Sequence, residues 1–502
     1  MKNLYLTTLI VLFSTLFFAQ NKEKTDCNCK ETFLWMKTTF SQNDAGFQDV
    51  IDKKGLDFYN YFTAKIEKKV KKVKDITLCA NLLNEWLTFF RKGHIGILPT
   101  ENTNIVENVN KADISDQKIR EKYKDSRIID LTEVQFKELI QQKKILNPLE
   151  GIWNFGNSYR KIGILRDEKN DSTFNCFIIE ADSVYWMPKQ LKAIFVKENG
   201  SFKVEYFLRD HSSQKTSAHF SNTSDYLLNV KINENDNWCK KIFPLTKNDV
   251  QDELFFQFKN NEKPFLLKLS DKTNYIRIPS FSYENKVFID SVLMANEDIL
   301  NTTQNLIIDI RYGTGGADVS FKNLIPLIYT NPIRGIGNKL YATKINAEGY
   351  KYYAEMFKQG GDTVSSKECM DISKMLSQNL GEYLEREKVD SIRLDSVKAF
   401  PNQIAIVCNE YNGSTDEEFL LAAKQSKKVK IYGKPTMGAL DYSNINEVLS
   451  PDGKYKMMIT MSKSYRIPDF CIDGVGVQPD YYIDQTFPED NWINFVLNRM
   501  EN

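Results

Sequence analysis

Histidine is scarce in this chain, and neither sign of charge is in surplus. The 502 residues include three histidines, and 67 Lys and Arg stand against 66 Asp and Glu, a net charge of +1. With no basic excess there is no broad surface for displacing counterions from phosphate, which argues against a nucleic-acid binder. The group Lys68, Lys69, Lys71, Lys72 and Lys74 reads as a solvated helix face. No histidine stands beside a Cys pair, so no zinc site is expected, and neither is any other metal or cofactor. No Gly-Lys-Ser/Thr follows the glycines at 313–316, which excludes a phosphate loop. Beyond residue 20 no charge-free apolar run approaches the roughly 20 residues of a membrane span. Internal repeats and low-complexity tracts are missing. Eight cysteines, about one per 60 residues, are too sparse for a disulfide scaffold.

What is there begins with an export signal. Met1-Lys2-Asn3 carries one positive charge, Leu4 to Ala19 runs apolar, and a polar stretch starts at Gln20. This is the layout of a cleavable leader, assigned to residues 1–20. It predicts an exported product, periplasmic or extracellular, in which loss of Lys2 leaves the two signs of charge equal. Export permits disulfides. Cys27 or Cys29 with Cys79 is the expected pair, because these cysteines flank one helical region, and Cys408 reads as a buried thiol at the end of a strand.

Three regions follow. Residues 27–146 read as an N-terminal helical region, with Phe33, Leu34, Met36 and Phe40 and then Leu82, Leu83, Trp86, Leu87 and Phe90 at helical spacing. Within it Gly93 turns the chain from a helix into a short strand. Residues 148–248 carry closely spaced, alternating strands such as Phe202 to Leu208 and read as a small all-β module, a barrel or sandwich. Residues 265–486 alternate strand and helix, which predicts a layered α/β core. A charged, mostly helical insertion at about 346–398 interrupts it.

Four places in this framework could carry chemistry. Asp309-Ile310-Arg311-Tyr312-Gly313-Thr314-Gly315-Gly316 follows a buried strand, and its glycines let backbone N–H groups converge on an anion; a plain strand-to-helix turn is the other reading. Ser414 in Asn412-Gly413-Ser414-Thr415-Asp416-Glu417 stands at a strand-to-helix corner, where a nucleophile is exposed and the helix N-terminus favours negative charge. Ser414 and Glu417 also spell a capping box, and the two roles can coexist. His94 could activate a serine or be structural. Asp473, in Ile472-Asp473-Gly474-Val475-Gly476-Val477-Gln478-Pro479-Asp480, could orient the histidine or belong to a turn before an edge strand. His211 and His219 read as surface residues.

Together and in this order these segments resemble the tail-specific, or C-terminal processing, serine peptidase family. Ile307–Ile310 with Arg311 and Gly315-Gly316 resembles the family's Asp-Leu-Arg-x-Asn-x-Gly-Gly segment. Asn412–Glu417 resembles its nucleophile corner. Tyr432-Gly433-Lys434-Pro435-Thr436-Met437-Gly438 resembles its Gly-Glu-x-Thr-x-Gly turn, and Gly474–Asp480 its closing Gly-Val-x-Pro-Asp. Where members of the Ser–Lys branch carry the catalytic lysine, this chain has Ala439. The histidine-using branch, typified by the tricorn protease core and the retinoid-binding protein of the retina, has a Gly-His stretch like Lys92-Gly93-His94-Ile95. It also has an acidic residue seven before the closing Asp, here Asp473. The resemblance implies a crotonase-like α/β core and an exported serine endopeptidase acting on polypeptides. In it Ser414 is the nucleophile, His94 the base and Asp473 its orienting acid. Thr415 with Gly315 or Gly316 supplies the oxyanion-binding N–H groups. No PDZ-like segment is present, and the 148–248 module occupies that place. The rival reading is a catalytically inactive protein on the same fold, binding peptide, lipid or glycan. Nothing in the sequence fixes the oligomeric state.

Overall fold

The computed structural model describes residues 27–100, 121–155, 159–181, 185–221, 224–244 and 250–502. The leader expected at 1–20 lies outside these residues, as does the 101–120 part of the N-terminal region. The chain divides into two compact units. One comprises the chain up to Thr100 together with Leu340–Leu384 and Asn444–Lys463; the other comprises Glu101–Lys339, Glu385–Ser443 and Ser464–Asn502. Among the described residues no helix is long and apolar enough to cross a membrane.

The first unit is built on four helices, Cys29–Asn43, Phe47–Lys54, Leu56–Val70 and Ile76–Leu87. Phe33, Met36 and Phe40 recur on one face of the first, and Cys79, Leu83 and Trp86 on one face of the fourth, so both stripes are buried against each other. The rings of Phe40, Trp86 and Phe90 meet at 4.7–5.7 Å. A disulfide joins Cys29 to Cys79, while Cys27 is a buried thiol. Behind these helices the strand Gly96–Pro99 pairs antiparallel with Tyr455–Ser464. A helical hairpin, Lys344–Gln359 and Thr363–Gln378, is tied to the first helix by Asn346 Nδ2, which donates to the Asn43 carbonyl at 3.0 Å.

Two stretches of the sequence reading are divided differently. Helix Glu133–Gln142, read as part of the N-terminal region, belongs to the second unit, because its apolar Phe136 and Ile140 pack on Ile152 and Phe177. The stretch 346–398 is helical only to Gln378. Gly381, at φ 92°, turns the chain, and Tyr383–Leu384 and Val389–Ile392 are strands. Val389-Asp390-Ser391-Ile392 has no helical repeat and satisfies its backbone against Ile333–Ile336 instead.

In the second unit eight antiparallel strands, from Gly151–Phe155 to Asn235–Phe243, close into a barrel around Trp153, Ile162, Phe174, Phe195, Val204 and Leu228. The larger part of this unit is a six-stranded sheet in the order Phe265–Lys268, Thr273–Arg277, Asn305–Asp309, Gln403–Cys408, Val429–Gly433, Tyr481–Tyr482. All neighbours run parallel except the first pair. Alternate residues face opposite sides. Ile308, Ile404, Ile406 and Ile431 meet Phe419, Leu420 and Ala423 of helix Thr415–Ala423. Ile307, Ala405 and Val407 meet Trp492, Ile493 and Val496 of helix Trp492–Glu501. Because both faces are covered, the middles of the central strands, Leu306–Ile308 and Ile404–Val407, are continuous apolar runs, as parallel strands between helical layers are.

The disulfide spans 50 residues of sequence. Replacing both Cys29 and Cys79 by Ser frees that loop in the unfolded chain, and a cost of about 4 kcal/mol is expected. It will be read as a lower guanidinium midpoint; an unchanged midpoint would show that the bridge does not constrain the unfolded chain.

Candidate active site

Three loops leave the carboxyl ends of three adjacent parallel strands: the glycine turn after Asn305–Asp309, the serine corner after Gln403–Cys408, and the Thr436 turn after Val429–Gly433. In open α/β sheets this edge is where ligands bind.

A buried ion pair sets the glycine turn. Asp309 is fully buried and receives Arg311 Nε at 3.0 Å and Nη2 at 2.7 Å, with the Tyr275 hydroxyl at 2.9 Å. The two guanidinium contacts hold the Asp309 carboxyl below the usual carboxylate range, against the opposing pull of burial. Arg277 donates to the carbonyls of Asp309 and Arg311 at 2.9 and 2.6 Å. The Asp-x-Arg element is therefore a scaffold for the turn that follows. At its end Gly315, with φ 91°, comes so close to the serine corner that a Cβ there would lie 2.7 Å from Ser414 Cβ and 2.9 Å from the Gly413 carbonyl. Only glycine fits.

Ser414 has φ 58° and ψ −122°, a conformation that non-glycine residues rarely adopt. It is the residue before helix Thr415–Ala423, so the helix N-terminus and its N–H groups lie directly beyond the hydroxyl-bearing residue. Two buried carboxyls hold this strained corner. Glu417, with no exposed surface, accepts from the N–H groups of Ser414 (3.2 Å), Gly438 (2.8 Å) and Ala439 (2.8 Å) and from the Thr436 hydroxyl. The Thr436 hydroxyl in turn accepts from Val477 N–H at 2.7 Å. The Ser414 N–H is shared with the Ala439 carbonyl at 3.0 Å. Asp416, also without exposed surface, accepts from Asn412 Nδ2 at 2.8 Å, and that amide donates as well to the Ile310 carbonyl at 2.6 Å. Burial pushes the Asp416 carboxyl up to about 7, with the N–H groups of Gly315 and Gly413 turned toward it and acting in the opposite sense. Of the two glycines read as oxyanion donors, Gly315 thus directs its N–H to Asp416, and Gly316 is the better candidate.

Asp473 lies at the same loop cluster. Its Oδ1 accepts from the N–H groups of Leu440 (2.7 Å) and Asp441 (2.6 Å), and its own N–H donates to Asp441 Oδ2 at 2.8 Å. The Gly474 N–H donates to the Gly438 carbonyl at 2.9 Å. Asp473 is thereby joined to the loop segment 438–441 that also holds Ser414. Ala439 is buried. Lys434 points elsewhere, pairing with Glu410 at 2.8 Å.

His94 belongs to the first unit. It has φ 59° and lies between helix Ile76–Leu87 and strand Gly96–Pro99. The chain is pinned on both sides of it. Arg91 Nη1 donates to buried Asp44 at 2.9 Å, and Asp44 also receives Thr460 N–H at 3.0 Å. Asn84 exchanges hydrogen bonds with the Ile97 backbone at 2.7 and 2.9 Å. The second unit thus brings together Ser414, Thr415, Gly315, Gly316 and Asp473. Among the described residues no group of three or more His, Cys, Asp or Glu is placed to hold a metal ion.

The sequence reading missed the depth of Asp416 and the four-way role of Glu417. In the sequence Asp416-Glu417-Glu418 looks like an acidic first turn facing water. The available signals were Ser-x-x-Glu and the four-residue spacing of Asn412 and Asp416.

Residues 272–483 match the pattern that defines Peptidase family S41. This match takes in Ser414, both glycines and Asp473. Over 88 residues the chain is 31% identical to carboxyl-terminal-processing peptidase 2, chloroplastic, of Arabidopsis thaliana, a stretch of 17% of this chain and 16% of that protein. Among solved structures it is similar to mature CPAF complexed with lactacystin, with a TM-score of 0.49 and 11% identity, covering 94% of this chain and 97% of that one. It is similar also to the tricorn protease, with a TM-score of 0.41 and 11% identity, covering 94% of this chain and 36% of that one.

Asp416 gives a signed pH dependence. Below about pH 4 its carboxyl is protonated in folded and unfolded chains alike. From there to about 7 only the unfolded chain releases the proton, so stability falls as pH rises and the loss is complete above 7. Asp416→Asn removes that contribution. Between pH 5 and pH 8 the variant should gain about 3 kcal/mol on the natural protein in urea unfolding; a pH-independent difference between the two would refute a neutral buried Asp416.

Proposed function

We propose that the chain is an exported serine peptidase with a crotonase-like core, acting on polypeptides. Ser414 Oγ attacks the scissile carbonyl. His94 takes its proton and returns it to the leaving amine, and Asp473 orients the imidazole. The N–H groups of Thr415 and Gly316 bind the oxyanion, each contributing about 3 kcal/mol. The observation that carries this reading is Ser414 itself: a non-glycine residue at positive φ, at the N-terminus of a helix, with a glycine turn closed against it. Strained serines of this kind expose a nucleophile at the end of a strand. The match to Peptidase family S41 over 272–483 supports the same reading.

The buried methyl of Ala439 favours a second reading, in which the cleft binds peptide without cleaving it. A fluorophosphonate probe decides between the two. Labelling is expected at Ser414, absent in Ser414→Ala and slowed at least 100-fold in His94→Gln. A folded protein that takes no label at Ser414 is a binding protein.

A further inference from the structure

The helix that begins after Ser414 forms one wall of a cleft of about 500 Å³, a size suited to enclosing a small ligand or a side chain. Glu418, Leu421, Ala422 and Gln425 line it. Glu418, Leu421 and Ala422 share one face of that helix, four, seven and eight positions beyond Ser414, and Gln425 follows in the turn after its end. At 1.5 Å per residue the helical part of the wall runs from about 6 to about 12 Å from Ser414 along the helix axis. The next residue after the serine also leads into the cleft: the Thr415 hydroxyl donates at 2.9 Å to Asp318, which lines the cleft's near end. The opposite wall is apolar, with Ile325 and Ile333 buried and Phe470 exposed at the mouth.

One guanidinium serves two carboxyls at the near end. Arg466 lies 3.6 Å from Glu418 and donates at 2.8 Å to fully buried Asp441. Burial raises the Glu418 carboxyl to about 7. Lys322, Arg334 and Asp390 are exposed residues at the rim. The deep part of the cleft presents carbon, and the exposed charges stand at its rim.

We propose that this cleft takes the side chain of the substrate residue whose carbonyl is attacked, and that it selects large apolar side chains. The proposal rests on Ser414 being the nucleophile. An acidic or basic side chain would lose its hydration against this carbon, whereas Leu or Phe would replace water against Leu421, Ile325 and Ile333.

The test uses one chemistry at one serine. A fluorophosphonate without an amino-acid side chain reports whether Ser414 is nucleophilic. Diphenyl aminoalkylphosphonates carrying the side chains of Phe, Leu, Ala and Lys report the cleft, each rate being divided by that of the plain probe on the same protein. The Phe and Leu esters should react at least 10-fold faster than the Ala and Lys esters. Leu421→Trp, which fills the cleft, should lower the Phe-to-Ala ratio at least 10-fold. Phe470→Ala, at the exposed mouth, should lower it several-fold. Equal relative rates for the four esters, or a ratio unmoved in both variants, would overturn the assignment of the cleft while leaving Ser414 as nucleophile. No adduct at Ser414 with the plain probe would overturn the nucleophile reading, and the cleft assignment with it.

Discussion

The carboxylate of Glu417 is the contact on which the site depends. Its two oxygens draw together the N–H of Ser414, the N–H groups of Gly438 and Ala439 and the hydroxyl of Thr436. These groups come from two loops about 20 residues apart, each leaving a different strand. A hydrogen bond to a charged acceptor contributes about 1.5–3 kcal/mol. Four of them on one buried group work against the strain of Ser414, which is of order 1–3 kcal/mol, while burial still holds the Glu417 carboxyl above its ordinary range. The Thr436 hydroxyl passes the same connection to Val477, so the Gly-x-x-Thr-x-Gly turn and the Gly-Val-x-Pro-Asp segment are held by one network. Without Glu417 the corner has no reason to keep its backbone in a conformation that serine disfavours.

The sheet explains why these loops are neighbours at all. Ile308, Ile406 and Ile431 are in register across three adjacent parallel strands, so the strands end level and their following loops start side by side. Each loop then solves a different problem. The Asp309–Arg311 pair fixes the direction of the first, Asn412 ties the second to the first, and Thr436 ties the third to the second. Positioning depends on buried polar groups with specific partners, and such groups specify a geometry more sharply than apolar packing does.

Much of this was legible in the sequence, for a physical reason in each case. The runs Leu306–Ile308 and Ile404–Val407 are apolar at every position, which marks them as buried on both faces. The serine corner was visible because glycine and a helix start stand on either side of Ser414. Cys79 has two sequence-adjacent candidates, and a choice between Cys27 and Cys29 needs the helix face, which places Cys29 with Phe33 and Met36. Other features were hidden. Helix Glu133–Gln142 has an ordinary amphipathic pattern that does not say which surface it will cover, and it packs on Ile152 and Phe177. The strand Val389–Ile392 sits in a charged stretch too short to show a period, and its pairing with Ile333–Ile336 crosses more than 50 residues. The burial of Asp416 was invisible because a carboxyl at a helix N-terminus is the commonest exposed acid.

That burial has a consequence for the chemistry. Asp416 lies beneath the corner that would stabilise a developing oxyanion. An ionised carboxylate there would oppose negative charge nearby: at about 6 Å and an effective dielectric of 20, two like charges repel by about 3 kcal/mol, as much as one oxyanion donor contributes. Burial keeps the group protonated up to about 7 and spares the corner that repulsion. Asn412 and the Gly315 N–H meanwhile use the same carboxyl to hold the glycine turn against the serine corner. A leucine in its place would be neutral but would release the turn, and an exposed aspartate would hold it but stay charged. A buried acid of raised pKa satisfies both demands.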